Sequence, residues 1–425
     1  MKALRHSVLA VAMLTGPALW MASPSARAQA PAAVPIAARA DASLASTLLK
    51  QARDAETSYQ FALALDRLYT LQLEQPRTPD AVAGRLLLAR LLTLVPDLPA
   101  AILQAQALSE EPSATPAQRA QALDLATAAG RRLRSVAIQY KTIDAATKGP
   151  LDVREPTAIM PEQGGAFLIV DRGGKRVVRV ADGTVTVVMA AQPEPSAIVQ
   201  LPDGTLLIGV KPEKGRNGSL ITQPAGKPVP TTFTENGRMR PITSVTAMAV
   251  NSVGDIFMVV GDFDKGLLRC KPGAANCDPW GPPGELTTVK VGASDFVYTL
   301  DSEGKTVRVI DRGGKLMASV GPIVDAKAYT ANIPNAVGTY ELKKIVDLAI
   351  DQTYTMHLLD AGQRKVVVVP LRLDGDRFAA EVRGEVGIST DPSTLFGIRN
   401  PSAIAVTPSG ALLVAGESTR LVRFR

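Results

Sequence analysis

One short pattern occurs four times along this chain of 425 residues. Each copy has a Ser or Thr, then Ala, then Ile or Met, with a Gly seven residues after the Ala. The copies are Thr157–Ile159 with Gly165, Ser196–Ile198 with Gly204, Thr246–Met248 with Gly254, and Ser402–Ile404 with Gly410. An apolar run follows each Gly, so each copy predicts two short strands joined by a Gly-bearing turn. The recurrence of this unit predicts a closed array of sheets.

Two weaker copies of the pattern fit the gaps between the clear ones. Thr287–Val289 leads to the apolar run Phe296–Leu300, and Ile345–Ile350 leads to Thr355–Leu359. With the clear copies they make six units of about 45 residues each, the length of a four-stranded propeller blade. Residues 146–425 are therefore predicted to form an all-β propeller of six blades.

A second recurring element follows the second predicted strand of several units. An acidic residue closes that strand, and a basic and an aliphatic residue begin the next; the acidic residues are Asp171, Asp301, Asp360 and Glu417. Asp at such a turn accepts hydrogen bonds from backbone N–H groups two residues on, and Gly supplies a positive φ. From about residue 155 onwards the pattern resembles the NHL-type six-bladed β-propeller family. The resemblance implies the fold and leaves the function open, because propellers carry many activities.

Ring closure requires a strand from elsewhere in the chain. The last unit contains three predicted strands, and an unpaired edge in a ring is a liability. Its fourth strand is therefore predicted to come from before the first unit, within Val136–Val153. Val136, Ile138 and Tyr140 alternate as in a strand, but the apolar residues from Leu133 to Tyr140 also fit a helix, and both alternatives stay open.

An α-helical pattern precedes the propeller, from residue 41 to about residue 133. Apolar residues at spacings of three and four run as one stripe from Leu44 to Leu65 and predict one continuous helix there. Thr78 is placed to cap a second helix over Ala81–Leu94. A third helix is predicted from about 99 to 108 and a fourth from about 117 to at least 129. Short Pro-marked connections favour antiparallel helix pairs.

This helical region loosely resembles tetratricopeptide-type (TPR) hairpins. The matching residues are Ala55, Tyr59, Ala62, Ala83 and Leu87–Ala89. The Trp and the Leu-Gly pair of the usual repeat are missing. The predicted fold class is thus α+β multidomain, with a TPR-like helical domain over residues 41–145 and an NHL-like propeller over residues 146–425.

The N-terminal residues read as a secretory signal. Lys2 and Arg5 precede the apolar stretch Val8–Met21, and Ala26-Arg27-Ala28 has the small-x-small form that signal peptidase needs. A signal peptide over residues 1–28, cleaved after Ala28, is predicted, followed by an Ala- and Pro-rich disordered linker over residues 29–40. The alternative is a retained membrane anchor, although the apolar stretch is short for spanning a bilayer. We expect a periplasmic or secreted protein with no later transmembrane segment.

Two cysteines, Cys270 and Cys277, are predicted to form a disulfide. An exported protein meets an oxidising compartment, where paired cysteines are the rule. The six intervening residues include Pro272 and Gly273, which allow the loop to turn back. A zinc site is disfavoured because two thiols without a nearby His cannot complete it.

Composition excludes several classes of function. Without Lys2, Arg5 and Arg27, the formal charge falls from +7 to +4, and the basic residues are evenly spread, so no nucleic-acid partner is expected. The chain has two His residues, and after cleavage His357 alone would be left, in an apolar run that predicts a half-buried strand residue. Some NHL-like lyases and amidating enzymes rely on several His residues, which this chain does not supply. No catalytic residue is assigned.

Charged residues before the first strands of three units form the best candidate site. They are Arg154, Glu155, Glu194, Arg399 and Asn400. Entry to innermost strands would place them around one mouth of the propeller channel. Two carboxylates and an amide could hold a hard cation, as propeller lactonases do, and the two arginines could instead hold an anion. A third alternative is that Pro-Ser/Thr fixes the turn and the charged side chains are solvated.

The predicted function is an exported, non-enzymatic scaffold that holds a protein or peptide partner in the cell envelope. The motivation is two repeat-like scaffolds without an evident reactive centre. The alternative is a metal-dependent lactonase- or lyase-like hydrolase, or a small-ligand sensor, with its site at the channel mouth. No cofactor or metal is assigned, and the acidic pairs at 262–264 and 374–376 are predicted to be ordinary turns.

Overall fold

The computed structural model describes residues 42–147, 151, 153–190, 194–211, 220–261, 263, 266–321, 342–374, 377–389, 397–417 and 421–425. The predicted signal peptide, the predicted linker and the side chains of the two acidic pairs lie outside the described residues. Residues from Ala40 to Arg425 form one compact unit. Within the described part, no helix has the length and apolar character needed to cross a bilayer.

Six helices form the N-terminal region of the described chain. They are α1 (Ala42–Thr57), α2 (Phe61–Glu74), α3 (Pro79–Leu94), α4 (Leu98–Ser109), α5 (Pro116–Arg132) and the short α6 (Val136–Gln139). Thr78 caps α3 as predicted, since its Oγ1 accepts a hydrogen bond from Ala81 N at 3.2 Å. Thr115 and Gln118 form a reciprocal capping box at the start of α5. These caps fix where the chain enters each helix.

The predicted continuous helix from Leu44 to Leu65 is wrong, because the chain breaks into α1 and α2 at residues 58–60. Tyr59 has a φ of +59°, which a right-handed helix does not contain. Its ring centroid lies 5.1 Å from that of Phe296 in the propeller, and its hydroxyl accepts a hydrogen bond from Arg312 N at 2.5 Å. Contacts with the propeller therefore override the helical periodicity at this point.

The strands form six sheets, which are the blades of a six-bladed β-propeller. Before blade 1 comes β1 (Ile143–Ala145); blade 1 holds β2 (Pro156–Pro161), β3 (Phe167–Asp171), β4 (Arg176–Ala181) and β5 (Thr184–Ala190); blade 2 holds β6 (Glu194–Gln200), β7 (Leu206–Lys211) and β8 (Leu220–Gln223). Blade 3 holds β9 (Thr232–Glu235), β10 (Arg238–Pro241), β11 (Val245–Val250), β12 (Ile256–Val260), β13 (Leu267–Cys270) and β14 (Asn276–Trp280). In blade 3, β9 and β10 form a hairpin at the outer edge.

The second half of the ring follows the same order from the channel outwards. Blade 4 holds β15 (Leu286–Val291), β16 (Val297–Asp301), β17 (Val307–Ile310) and β18 (Leu316–Val320); blade 5 holds β19 (Ile345–Ile350), β20 (Thr355–Asp360), β21 (Lys365–Asp374), β22 (Arg377–Ala380) and β23 (Gly384–Gly387); blade 6 holds β24 (Arg399–Val406), β25 (Leu412–Glu417) and β26 (Val422–Phe424). The blade count predicted from the repeats is confirmed.

Acidic residues at the ends of second strands tie two turns together. Asp171 Oδ1 accepts hydrogen bonds from Gly174 N at 3.0 Å and from Arg154 N at 3.1 Å, so it joins its own turn to the segment that enters β2. Asp360 does the same, with Gln363 N at 3.0 Å and Lys344 N at 3.1 Å. The hydrogen bonds predicted within the turn are present, and each carboxylate also bonds to the segment that enters the innermost strand of its blade. We call this side of the ring the Asp face, and the opposite side, which carries the Gly turns of the repeat, the Gly face.

The ring closes with a strand from before blade 1, as predicted. β1 pairs antiparallel with β26, Ile143 opposite Phe424 and Ala145 opposite Val422, and so becomes the outermost strand of blade 6. Asp144 strengthens this pairing, since it accepts a hydrogen bond from Arg423 Nε at 2.8 Å and forms an ion pair with Arg425. Residues 136–140 could form a strand or a helix by sequence, and the structure shows the helix α6 there.

The helices and the Gly face of blades 4 and 5 share one hydrophobic core. Phe61 of α2 packs edge-on against Phe378 of β22, with ring centroids 5.9 Å apart, and Phe296 lies 5.2 Å from the same ring. Arg132, at the end of α5, is buried and donates hydrogen bonds to Thr93 O at 2.8 Å and Thr353 O at 2.7 Å. This bond pair joins α3, α5 and blade 5.

The predicted disulfide is confirmed. Cys270, at the end of β13, is bonded to Cys277 of β14, and both side chains are buried. The bridge joins the third and fourth strands of blade 3, counted from the channel, next to Phe233 and Phe263 in the core between blades 2 and 3.

Candidate functional site

The repeated Ser or Thr of the sequence pattern occupies a β-bulge in each clear copy. Thr157, Ser196, Thr246 and Ser402 all sit where the register of the innermost strand shifts against the second strand. Three of the hydroxyls donate to the next blade: Thr157 to Ser196 O at 3.0 Å, Ser196 to Val245 O at 2.6 Å, and Ser402 to Pro156 O at 2.7 Å. The pattern therefore encodes bonds between blades, and these hydroxyls are engaged with backbone.

A central channel runs between the innermost strands of the six blades. Its volume is about 520 Å³, and it is lined by β2, β6, β11, β15, β19 and β24, with no lining residue from the described helices. Most lining side chains are Ala, Val, Ile, Ser or Thr. A cavity of this size with a mixed polar and apolar lining suits a small molecule that carries polar groups.

Blade 5 departs from the pattern inside the channel. In the strand register Asp347 takes the place held by Ala158, Ala197, Ala247 and Ala403 in four other blades. The Asp347 side chain is 6% exposed, and its Oδ2 accepts a hydrogen bond from Ile404 N of blade 6 at 3.0 Å. Its Oδ1 accepts another from Leu348 N at 2.9 Å. Blade 5 thus reaches the next blade with a carboxylate at the alanine position, whereas blades 1, 2 and 6 use a hydroxyl one residue earlier, where blade 5 has Val346.

The channel ion pair of Lys290 and Asp347 joins blades 4 and 5. Lys290 Nζ lies 3.2 Å from Asp347 Oδ1, and the Lys290 side chain is 26% exposed. Lys290 is near the Gly-face end of β15, while Asp347 is the third residue of β19. Since the carboxylate is also held by two backbone N–H groups, it is fixed in place independently of the lysine.

The mouth of the channel on the Asp face carries a second set of charges. Glu155 and Arg172 line the mouth and form an ion pair. Arg172 Nε also lies 3.8 Å from Glu194 Oε1, so one guanidinium faces both predicted carboxylates. The hydrogen bond from Arg172 lowers the pKa of Glu155, and the same bond raises the pKa of Arg172. The structure therefore brings Glu155 and Glu194 together around a cation supplied by the chain itself.

The other three predicted site residues lie apart from this pair. Arg154 is exposed, and its backbone N–H is bonded to Asp171. Arg399 and Asn400 begin β24 instead of preceding it, and both side chains are exposed. Asn400 Nδ2 donates a hydrogen bond to Glu417 Oε2 at 2.9 Å. These three residues contribute charge and polarity near the Asp face and do not line the channel.

The donor set at the mouth does not fit the metal site considered from the sequence. Such a site needs Glu155, Glu194 and Asn400 to direct oxygen atoms at one ion. In the structure both carboxylates face Arg172, and the Asn400 amide is bonded to Glu417. Among the described residues, no group of three or more His, Cys, Asp or Glu side chains is arranged to hold a metal ion.

His357 is fully buried, where the sequence predicted a half-buried strand residue. Its Nε2 shares a 2.8 Å hydrogen bond with the Tyr140 hydroxyl, which in turn accepts one from Gln139 Nε2 at 3.1 Å. Burial lowers the pKa of His357 and keeps the ring neutral. His357 lies in β20 of blade 5, faces Tyr140 at the end of α6, and does not line the channel, so its contacts are structural.

Comparisons with known proteins place the chain near several solved propellers of low identity. No family model matches the chain, and no curated protein matches it. Similar solved structures include a streptogramin B lyase (11% identity, TM-score 0.43, covering 67% of this chain and 97% of that one). They also include a gluconolactonase from Xanthomonas campestris (12%, 0.44, 68% and 92%) and the calcium-binding protein regucalcin from Agrobacterium tumefaciens (11%, 0.41, 66% and 92%). Similarity at this level carries no argument about function, and the NHL family and the TPR-like helices stay predictions.

Proposed function

We propose that this protein binds a small molecule with an anionic group in the central channel, and that Lys290 receives that group. The observation that supports this proposal is the position of the Lys290 ammonium group. It lies inside a cavity of about 520 Å³, beside the Asp347 carboxylate, which is already held by backbone N–H groups. An ammonium group has three N–H donors, so the contact with Asp347 leaves donors for a ligand carboxylate or phosphate. Inside a channel surrounded by protein, such a contact is stronger than it is in bulk water.

The position of Asp347 supports this assignment. A lysine without a counter-ion in the channel would destabilise the ligand-free protein, and the Asp347 carboxylate neutralises that charge. Because Leu348 N and Ile404 N hold both carboxylate oxygens, Asp347 stays in place when a ligand approaches Lys290.

This proposal adopts the small-ligand alternative and assigns no catalytic residue. The metal-dependent hydrolase would need carboxylates that here face Arg172. The exported scaffold with a protein or peptide partner is the competing proposal. We also propose that the protein works in the periplasm or outside the cell, which is supported by the N-terminal sequence and by a disulfide of the kind that persists in oxidising compartments.

A thermal-shift screen against small carboxylates, phosphates, amino acids and sugars tests the channel proposal. A ligand at about a hundred times its Kd stabilises the native state by about 2.7 kcal/mol, which shifts the melting temperature by several degrees. We expect anionic compounds to give the shift. Turnover of a stabilising compound in the same assay would identify the protein as an enzyme, and absence of any shift across the screen would support the competing scaffold.

Paired substitutions assign the shift to the channel. Lys290→Met alone leaves Asp347 buried without its cation, so the informative variant combines Lys290→Met with Asp347→Ala, which restores the alanine of four other blades. We expect this double variant to fold and to lose the ligand shift. The control is Lys305→Met, a lysine of the same blade that is half-exposed and paired with Glu303. A ligand shift that persists in the double variant contradicts the proposal.

A further inference from the structure

The chain around the closing seam carries several basic and aliphatic side chains that are exposed or half-exposed. We call this region the seam surface; it is composed of Arg131, Leu133, Arg134, Ile138, Lys141, Ile143, Arg383 and Arg425. The chain runs through it from the end of α5, through α6, to β1. None of these residues lines the central channel, so the surface is separate from the proposed ligand site.

Contacts across the seam bring several of these residues near one another. Arg383, which follows β22, donates a hydrogen bond from Nη2 to Arg134 O at 3.0 Å. Thr142 N donates to Arg425 O at 2.8 Å, which places the last described residue beside the connection from α6 to β1. The pKa of Arg131 is lowered by burial and also by the positive charges of Arg134 and Arg425. Three segments distant in sequence thus bring like charges together.

The seam surface has an excess of positive charge. Asp144 is the carboxylate paired at the seam, and its partners are Arg423 and Arg425. Among the described residues, no carboxylate forms an ion pair with Arg131, Arg134, Lys141 or Arg383. Closely spaced cations without carboxylate partners repel one another in the free protein, and an anionic surface would relieve that repulsion.

Aliphatic side chains project between these charges. Leu133 is 51% exposed, Ile138 58% and Ile143 39%. Single exposed aliphatic residues are ordinary, but here three lie within a stretch of eleven residues beside a group of unpaired cations. Cations beside exposed apolar side chains are the combination with which peripheral proteins bind anionic lipid, by charge attraction and by insertion at the headgroups. The seam surface therefore fits an anionic lipid surface.

We propose that the seam surface docks onto an anionic lipid bilayer. The arginines and Lys141 contact lipid phosphates, and Leu133, Ile138 and Ile143 insert at the level of the headgroups. The arrangement has the two components that reversible membrane attachment requires, a basic group and apolar side chains. The ring would then be attached by its closing blade while the channel stays open to solvent.

Sedimentation with vesicles tests the docking. The full chain is mixed with vesicles of phosphatidylcholine alone, or of equal parts phosphatidylcholine and phosphatidylglycerol. We expect sedimentation with the anionic vesicles only and release by added salt, since the attraction is screened within a Debye length. The triple variant Arg131→Ser, Arg134→Ser, Arg383→Ser should bind the anionic vesicles about a hundredfold more weakly.

A matched pair of variants distinguishes binding through the seam surface from nonspecific adsorption to vesicles. Leu133→Ser with Arg134→Ser changes one apolar and one basic neighbour in the seam surface and should weaken vesicle binding about tenfold or more. Arg238→Ser with Met239→Ser makes the same kind of change on β10, where Met239 is 68% exposed, and should leave binding unchanged. Circular dichroism checks that both variants fold.

Four results would overturn the proposal. They are no sedimentation of the wild-type chain, equal sedimentation with neutral vesicles, an equal loss in the β10 variant, and binding of soluble polyglutamate in place of vesicles with dependence on Arg134. The last result would assign the surface to an acidic protein partner.

Discussion

Blades 4 and 5 differ from blades 1, 2 and 3 in how their outer surfaces are stabilised. In blades 4 and 5 the core continues into α1, α2 and α3, and a cluster of rings that includes Phe61, Phe296 and Phe378 spans the boundary. In the described parts of blades 1, 2 and 3 the core clusters contain residues of strands and connecting loops and none of the helices. There the interblade hydroxyl bonds of Thr157 and Ser196 and the Cys270–Cys277 bridge supply the cross-links.

This difference shows that blades built from the same strand repeat can be stabilised in two ways, by packed helices or by cross-links and extra strands. A four-stranded blade presents its outer edge and its turns to solvent unless another element covers them. Blades 4 and 5 gain that cover from helices, whereas blade 3 has a disulfide and an added outer hairpin. The helices are therefore part of the core that stabilises blades 4 and 5.

The largest expected effect comes from removing an aromatic side chain at the boundary between the helices and the propeller. Phe296→Ala should lower the free energy of unfolding by about 4 kcal/mol, because a fully buried aromatic side chain is lost and a cavity remains. Phe257→Ala in blade 3 is the matched change in the uncovered half and should cost a similar amount. Hydrogen exchange should rise in α1 and α2 for Phe296→Ala alone; an equal rise in both variants would contradict the comparison.

The second-largest expected effect comes from Arg132, the buried arginine that joins α3 and α5 to blade 5. Arg132→Met should lower the free energy of unfolding by about 3 kcal/mol, since the carbonyls of Thr93 and Thr353 lose their donor. Burial lowers the pKa of Arg132 to about 10, which still leaves it charged at neutral pH. Urea unfolding measures the loss. The neighbouring Arg131→Met serves as control and should change stability little.

The disulfide should matter less, and only in the uncovered half. Cys270→Ala with Cys277→Ala should reduce stability by about 2 kcal/mol, the chain-entropy value for a loop that joins residues seven apart. Reduction of the wild type with dithiothreitol should reproduce that loss and leave the double variant unaffected. Faster hydrogen exchange should be confined to blades 2 and 3; if α1 or α2 also exchanged faster, the two halves would be more tightly coupled than we describe.

The smallest expected effect is a pH dependence from His357. Its pKa is lower in the folded than in the unfolded chain, where it is about 6.5. Below that pH the unfolded state binds more protons, so stability should fall with decreasing pH, by at most about 1.4 kcal/mol per unit. His357→Gln keeps an acceptor for the Tyr140 hydroxyl and should remove this slope. Urea unfolding across the acidic range measures it, and an unchanged slope in the variant would assign it to other groups.

The repeated strands could be predicted from sequence because their rules are local. The Gly turns, the apolar second strands and the Ser or Thr at the bulge recur in each clear copy, so a single chain carries several observations of one unit. The break between α1 and α2 could not be predicted in this way. Tyr59 continues the apolar stripe, and it adopts a positive φ to pack against Phe296, which is remote in sequence.

The candidate site was predictable in part. The positions of Glu155 and Glu194 before innermost strands placed them near one mouth, but the partner Arg172 was missed, because its contact depends on a long side chain crossing two blades. Lys290 and Asp347 were missed because both weaker copies were recognised by their apolar residues. A charged residue at the alanine position of the pattern was the available signal for Asp347.

The pairing of β1 with β26 has a consequence for the order of events during biosynthesis. Asp144 and Arg425, which lock that seam, are 281 positions apart. A nascent chain must therefore be synthesised almost to Arg425 before its sixth blade can be completed, and until then both β1 and β25 present free edges to other polypeptides. Translation that stalls just short of β26 would release a ring that is held open at one gap.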